Sequence, residues 1–219
     1  MLVRIKRQRD RESEPYWQTF RYEGTRSTTV AALLDELNYT DDLFDSDGNP
    51  APRIRWECSC MQKLCGACAM IINGTPALAC NTFLSDLNNK EEIVLEPLTK
   101  FPVVSDLIVD RSIIEDNLKK AEIYQGEYGK SSSKEYEQQY SAAKCLKCGL
   151  CLEVCPNYRK GENFYGALFA NNVYLVHSQS KDRKKVLKQK YASNFASGCS
   201  RAYPVKKYAR WEYRRCLLC

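Results

Sequence analysis

Cys60, Cys65 and Cys68 stand in a C-x4-C-x2-C run, and Cys80 follows with eleven residues between. Thiolates are soft ligands, and this is the plant-type spacing for a [2Fe–2S] cluster. Two bridged ferric ions need four thiolates, and one loop wrapped round the cluster can supply three. Gly66 inside the run lets the backbone come close enough to aim amide N–H groups at the sulfurs. Such hydrogen bonds tune the potential. The alternative is zinc or free buried thiols, but zinc prefers paired C-x2-C knuckles. Cys58 stands two residues before Cys60 and is either a competing ligand or a bystander.

A second run, Cys145-x2-Cys148-x2-Cys151-x3-Cys155-Pro156, has the bacterial-ferredoxin spacing. Three cysteines on a tight turn suit three corners of a cubane, while the fourth serves a different cluster. Pro156 stops the preceding turn from continuing as a helix. Cys199, Cys216 and Cys219 remain, and a fourth cysteine that belongs elsewhere demands ligands downstream.

The rest of the composition narrows the classes. Twelve cysteines in 219 lysine-rich residues are too dilute for a small disulfide scaffold. The amino terminus MLVRIKRQRD has no apolar signal segment, which implies a reducing compartment where clustered thiols bind metal. No run of about 18 apolar residues occurs, so no membrane span is expected. The net charge of +6 includes a basic run from Lys181 to Lys190. It reads as a solvated helix face, and no nucleic-acid-binding pattern accompanies it. The single histidine, His177, removes most histidine chemistry and disfavours a mixed Cys/His zinc site.

The elements that must hold these cysteines are legible in part. Leu2 to Arg7 and Tyr16 to Tyr22 alternate as strands joined by a polar loop. Thr28 or Thr29 can cap a helix from Val30 to Leu37. Asp47-Gly48-Asn49-Pro50 marks a turn. Ala69 to Asn73 reads as a strand closed by the Asn73-Gly74 turn, and Glu92 to Leu95 as another. From Ser105 onward Leu107, Ile108, Ile113, Ile114 and Leu118 recur at helical spacing. Gly126 to Gln139 reads as a polar linker, and Phe164 to Val176 as a buried helix. The fold class expected is α+β. A β-grasp plant-type ferredoxin domain spans residues 1–104, and an α-helical bacterial-ferredoxin-like domain spans 105–219.

This layout resembles the iron–sulfur subunit of succinate dehydrogenase and fumarate reductase over nearly all the chain up to Tyr203. Besides the cysteines, Arg55-Trp56, Cys65-Gly-Ala-Cys68-Ala-Met, Leu78-Ala-Cys80, Glu96-Pro97-Leu98 and Asp106-Leu-Ile-Val-Asp110-Arg111 carry the resemblance. It implies a [2Fe–2S] cluster on Cys60, Cys65, Cys68 and Cys80. It implies a [4Fe–4S] cluster with three ligands at Cys145, Cys148 and Cys151. Cys155 and Cys199 then belong to a third cluster, usually [3Fe–4S]. An FAD-containing flavoprotein subunit and a membrane-anchor cytochrome b or quinone-binding subunit are the implied partners. The implied location is cytoplasmic, on the inner face of the membrane through those partners. The family often has a histidine after the Cys199 position and a tryptophan shortly after Pro156. Here Ser200 and Asn157-Tyr158-Arg159 stand instead, so a quinone contact by this subunit is not carried over. Two other readings fit the cysteines: an electron-transfer subunit of another flavoprotein reductase, and a zinc-binding interaction module.

The tail departs from the family, which continues from Cys199 as C-x5-C-x3-C-P. Val205 and Ala209 occupy those two cysteine positions, and the sequence ends at Cys219, short of the family's C-terminal helix. Permitted codons for Pro204 to Arg210, read from the third base, give CEEVCP with the family spacing. The expectation is a lost base near codon 204, which makes 204–219 a non-native tail. The alternative is that Cys216 and Cys219 act as replacement ligands.

Overall fold

The computed structural model describes residues 1–88, 91–129 and 132–199. The tail and its shifted-frame reading, with Cys216 and Cys219, lie outside the described residues. The chain divides into two compact units, Met1–Asp110 and Arg111 onward.

In the first unit β1 (Leu2–Arg7) and β2 (Tyr16–Arg21) form an antiparallel hairpin. The alternation of β1 puts Val3, Ile5 and Arg7 inside. Helix α1 (Val30–Tyr39) follows. Thr29, not Thr28, caps it, its Oγ1 accepting from Ala32 N at 3.2 Å. Val30, Ala31, Leu33, Leu34 and Leu37 line its buried side. Strands β3 (Leu43–Phe44) and β4 (Pro50–Ala51) pair across the Asp47-Gly48 turn. After the cysteine loop, β5 (Ala69–Ile72) and β6 (Thr75–Leu78) form a hairpin around Asn73-Gly74. Pro76 sits in β6, an edge strand, where a missing N–H is tolerated. Strand β7 (Glu92–Glu96) returns to the middle and gives the order β2-β1-β7-β5-β6, with β1 and β7 parallel. This mixed sheet with α1 is β-grasp-like, and with the helices of the second unit it makes the chain α+β.

Strands β8 (Val103–Ser105) and β9 (Ile108–Val109) close the first unit. The apolar spacing predicts a helical half from 105 onward, with its boundary near 104. The structure instead turns the chain at Asp106, whose φ is +46°. The carboxylate of Asp106 is bound inside the first unit, so Leu107 lies in a turn and Ile108 in a strand pair there.

The second unit is helical. α2 (Ser112–Lys120) buries Ile114 and Leu118. α3 (Ser133–Ala143) overturns the expected linker of 126–139. Ser132 and Glu135 form a reciprocal capping box, and the buried Gln139 and Ala142 lie on its inner side. α4 (Leu150–Glu153) is a single turn. α5 (Gly166–Gln179) is the buried helix expected, and α6 (Lys184–Asn194) carries the basic run. Its Lys184, Lys185 and Lys188 face solvent while Leu187 and Tyr191 are buried, as a solvated helix face requires. Leu118, Tyr165, Phe169, Val173, Leu187, Tyr191 and Phe195 form one apolar cluster. Cys151 and Cys199 pack against its edge.

Candidate metal centres

The first unit gathers four cysteines by two local devices. The β5–β6 hairpin pairs Ala69 with Leu78, so Cys68 and Cys80 emerge side by side just beyond it. Ala79 N donates to Cys68 O at 3.0 Å and continues that register. The second device is the loop 60–67. Met61, Lys63 and Gly66 adopt φ of +52°, +61° and +79°. Left-handed residues among right-handed ones turn successive amides toward one side of the chain, a concavity suited to anions. Two of the three are not glycine, a strain of roughly 1–2 kcal/mol each.

The amides point at sulfur. Gln62 N and Leu64 N donate to Cys60 Sγ at 3.4 and 3.2 Å, and Lys63 N to Cys80 Sγ at 3.3 Å. Ala67 N donates to Cys65 Sγ and Cys80 N to Cys68 Sγ, both at 3.5 Å. Each of the four sulfurs thus receives at least one N–H. The amides of Gln62 and Leu64 hold the Cys60 thiol down to about 7, which favours thiolate. Burial pushes Cys68 up to about 12, against the pull of the Cys80 amide.

Cys58 is different. It is exposed, and burial of its sulfur with the nearby charges of Asp35 and Cys65 raises its thiol. Among the described residues its sulfur accepts none of the amide bonds that the other four receive.

The second unit holds Cys145 and Cys148 on the turn between α3 and α4, and Cys151 in the first turn of α4. Lys147 (φ +51°) and Gly149 (φ +86°) bend it back on itself. Burial raises the Cys148 thiol, with the Cys145 charge adding to it. The Leu150 amide and the Arg111 guanidinium pull the other way. Cys151 is raised by burial and by both other thiols, and the Leu168 amide in the first turn of α5 opposes this. The three sulfurs therefore lie within one another's electrostatic reach. Arg111 Nη1 donates to the Cys148 carbonyl at 3.4 Å, and Lys147 Nζ meets Glu115 Oε1 at 2.7 Å.

Cys155 is buried and Cys199 half-buried. Asn157 Nδ2 donates to Gly198 O at 2.7 Å, which ties the residues beside Cys155 to those beside Cys199. In the sequence Asn157 stands out only as a departure from the family pattern; nothing local marks its partner.

Thiolate donors flanked by inward-aimed amides fit an iron–sulfur group, because sulfide and thiolate carry the negative charge that those amides stabilise. Among the described residues no three His, Cys, Asp or Glu side chains converge on a single metal-ion position. No helix among them is long and apolar enough to cross a membrane.

Residues 2–116 match the family described as a 2Fe-2S iron-sulfur cluster binding domain. The succinate dehydrogenase iron-sulfur subunit of Bacillus subtilis is 32% identical over 182 residues, 80% of this chain and 70% of that one. The fumarate reductase iron-sulfur subunit of Mycobacterium tuberculosis is 32% identical over 211 residues, covering 88% and 81%. In fold, the chain is similar to one in the Mycobacterium smegmatis Sdh1 complex in the apo form. The TM-score is 0.77 at 22% identity, over 99% of this chain and 92% of that one.

Proposed function

The chain belongs to the family of succinate dehydrogenase and fumarate reductase iron–sulfur subunits, and we propose that it relays electrons singly between an FAD-bearing flavoprotein subunit and a quinone or membrane-anchor subunit. It is an electron-transfer subunit of an oxidoreductase, and the site that converts dicarboxylate lies on the flavoprotein partner. Cys60, Cys65, Cys68 and Cys80 hold a [2Fe–2S] cluster. Cys145, Cys148 and Cys151 hold three corners of a [4Fe–4S] cluster. Cys155 and Cys199 belong to a third cluster, of [3Fe–4S] type. Bound clusters supply one-electron redox chemistry, and the chain's part is to fix their positions and potentials. The subunit is held at the inner face of the membrane through its partners.

The observation that carries this reading is the set of five amides donating to four cysteine sulfurs in the first unit. Zinc thiolates also accept amides, so the metal itself is the test. Anaerobically purified protein is expected to contain iron with matching acid-labile sulfide, and to give paramagnetic signals on reduction. Cys65→Ala is expected to abolish the two-iron signal and leave the cubane signal. Zinc without sulfide in the purified protein would sink the relay.

A further inference from the structure

The second centre concentrates negative charge in a half-buried place. Cys145, Cys148 and Cys151 are each half-buried, and as cluster ligands they are thiolates. Lys147 points to Glu115, at 2.7 Å, and Lys144 lies over the Tyr140 ring at 4.7 Å. The Leu168 amide at the start of α5 gives a partial positive charge. Arg111 carries a whole one: from the cap position just before α2 its Nη1 donates to the Cys148 carbonyl at 3.4 Å.

We propose that Arg111 sets the reduction potential of the second centre, raising it by holding a fixed positive charge against the Cys145–Cys151 turn. The proposal rests on the reading that these thiolates hold an iron–sulfur cluster. Reduction adds one electron to a site that is already anionic, and a nearby cation stabilises the reduced form more than the oxidised form. Arg111 touches no reacting atom; it acts through the Cys148 loop and through its field.

The test is a redox titration of the anaerobically purified chain with its clusters, followed by electron paramagnetic resonance, for wild type, Arg111→Gln and Arg111→Lys. Glutamine keeps a donor for the Cys148 carbonyl and removes the charge; lysine keeps the charge. In Arg111→Gln, reduction of the second centre is expected to be disfavoured about tenfold, a midpoint lower by about 59 mV for one electron. Arg111→Lys is expected to stay near wild type, and the first centre is unmoved in both. An unchanged midpoint in Arg111→Gln, or an equal fall in Arg111→Lys, overturns the proposal. So does loss of the second signal in Arg111→Gln, which would make the residue structural. A wild-type chain without that signal sinks the cluster reading itself, and this proposal with it.

Discussion

Both carboxylate oxygens of Asp106 are occupied. Oδ1 meets Arg7 Nε and accepts from Gln8 N, each at 3.0 Å, and Oδ2 accepts from Arg55 N at 2.9 Å. Arg7 is 1% exposed and also bonds Gln18 and the carbonyls of Pro52 and Arg53. The pair thus clamps residues 52–55, the segment that leads into the cysteine loop. Removing one partner leaves the other charge buried. Asp106→Ala should therefore cost about 3–5 kcal/mol of stability by denaturant titration. A loss under about 1 kcal/mol would show that the clamp matters little. Tyr22 gives a pH prediction. Its hydroxyl donates to Glu36 at 2.7 Å, and burial, then Glu36, raise it from 10.0 to about 12. A raised folded value favours the protonated form in the native state. The stability it contributes is full below pH 10 and is lost as pH climbs through about 12. Tyr22→Phe should flatten that alkaline limb, and an unchanged limb would place its origin elsewhere. The cysteines were legible because ligand type and spacing are local. The Arg7–Asp106 clamp was not, because its halves stand at opposite ends of the first unit.

Helix ends show where element reading succeeds and fails. The strands β1, β2, β5 and β7 announced themselves through alternation and turn residues. The span 105–109 misled, because Leu107 and Ile108 share apolar spacing with Ile113, Ile114 and Leu118. Periodicity cannot register that Asp106 takes a positive φ. The 126–139 stretch misled in the other direction, since polarity hid the Ser132–Glu135 capping box that starts α3. The start of α5 offers an element-scale test. Gly166 has φ +75°, and a Cβ there would run into Leu152 Cδ2 in α4. That close approach brings the first turn of α5 over Cys151. Gly166→Ala should lose about 1–3 kcal/mol from strain and overpacking. It should also release iron from the second centre faster than from the first under a chelator. Equal release from both would separate the helix start from the centre.

Two units, each with its own core, place the two cysteine runs in different cooperative bodies. Calorimetry of the iron-loaded protein should show two unfolding transitions, one for each compact unit. Cys80→Ser should shift one of them and leave the other. A single transition that moves as a whole would contradict this. At this scale the sequence reading had the right order of halves, since each cysteine run lies inside one of them. It could not give the division at Asp110, because that depends on where the Asp106 carboxylate is bound. One consequence follows from β1 lying parallel to β7, with Leu2 opposite Glu92. A ribosome delivers the chain from its amino terminus. The first strand pairs early with β2, but it must wait for β7, late in its unit, before it finds its second neighbour. By then Cys60, Cys65, Cys68 and Cys80 have all been synthesised. The timetable of translation therefore presents these thiols to iron donors, and to oxidants, before there is a completed sheet to shelter them.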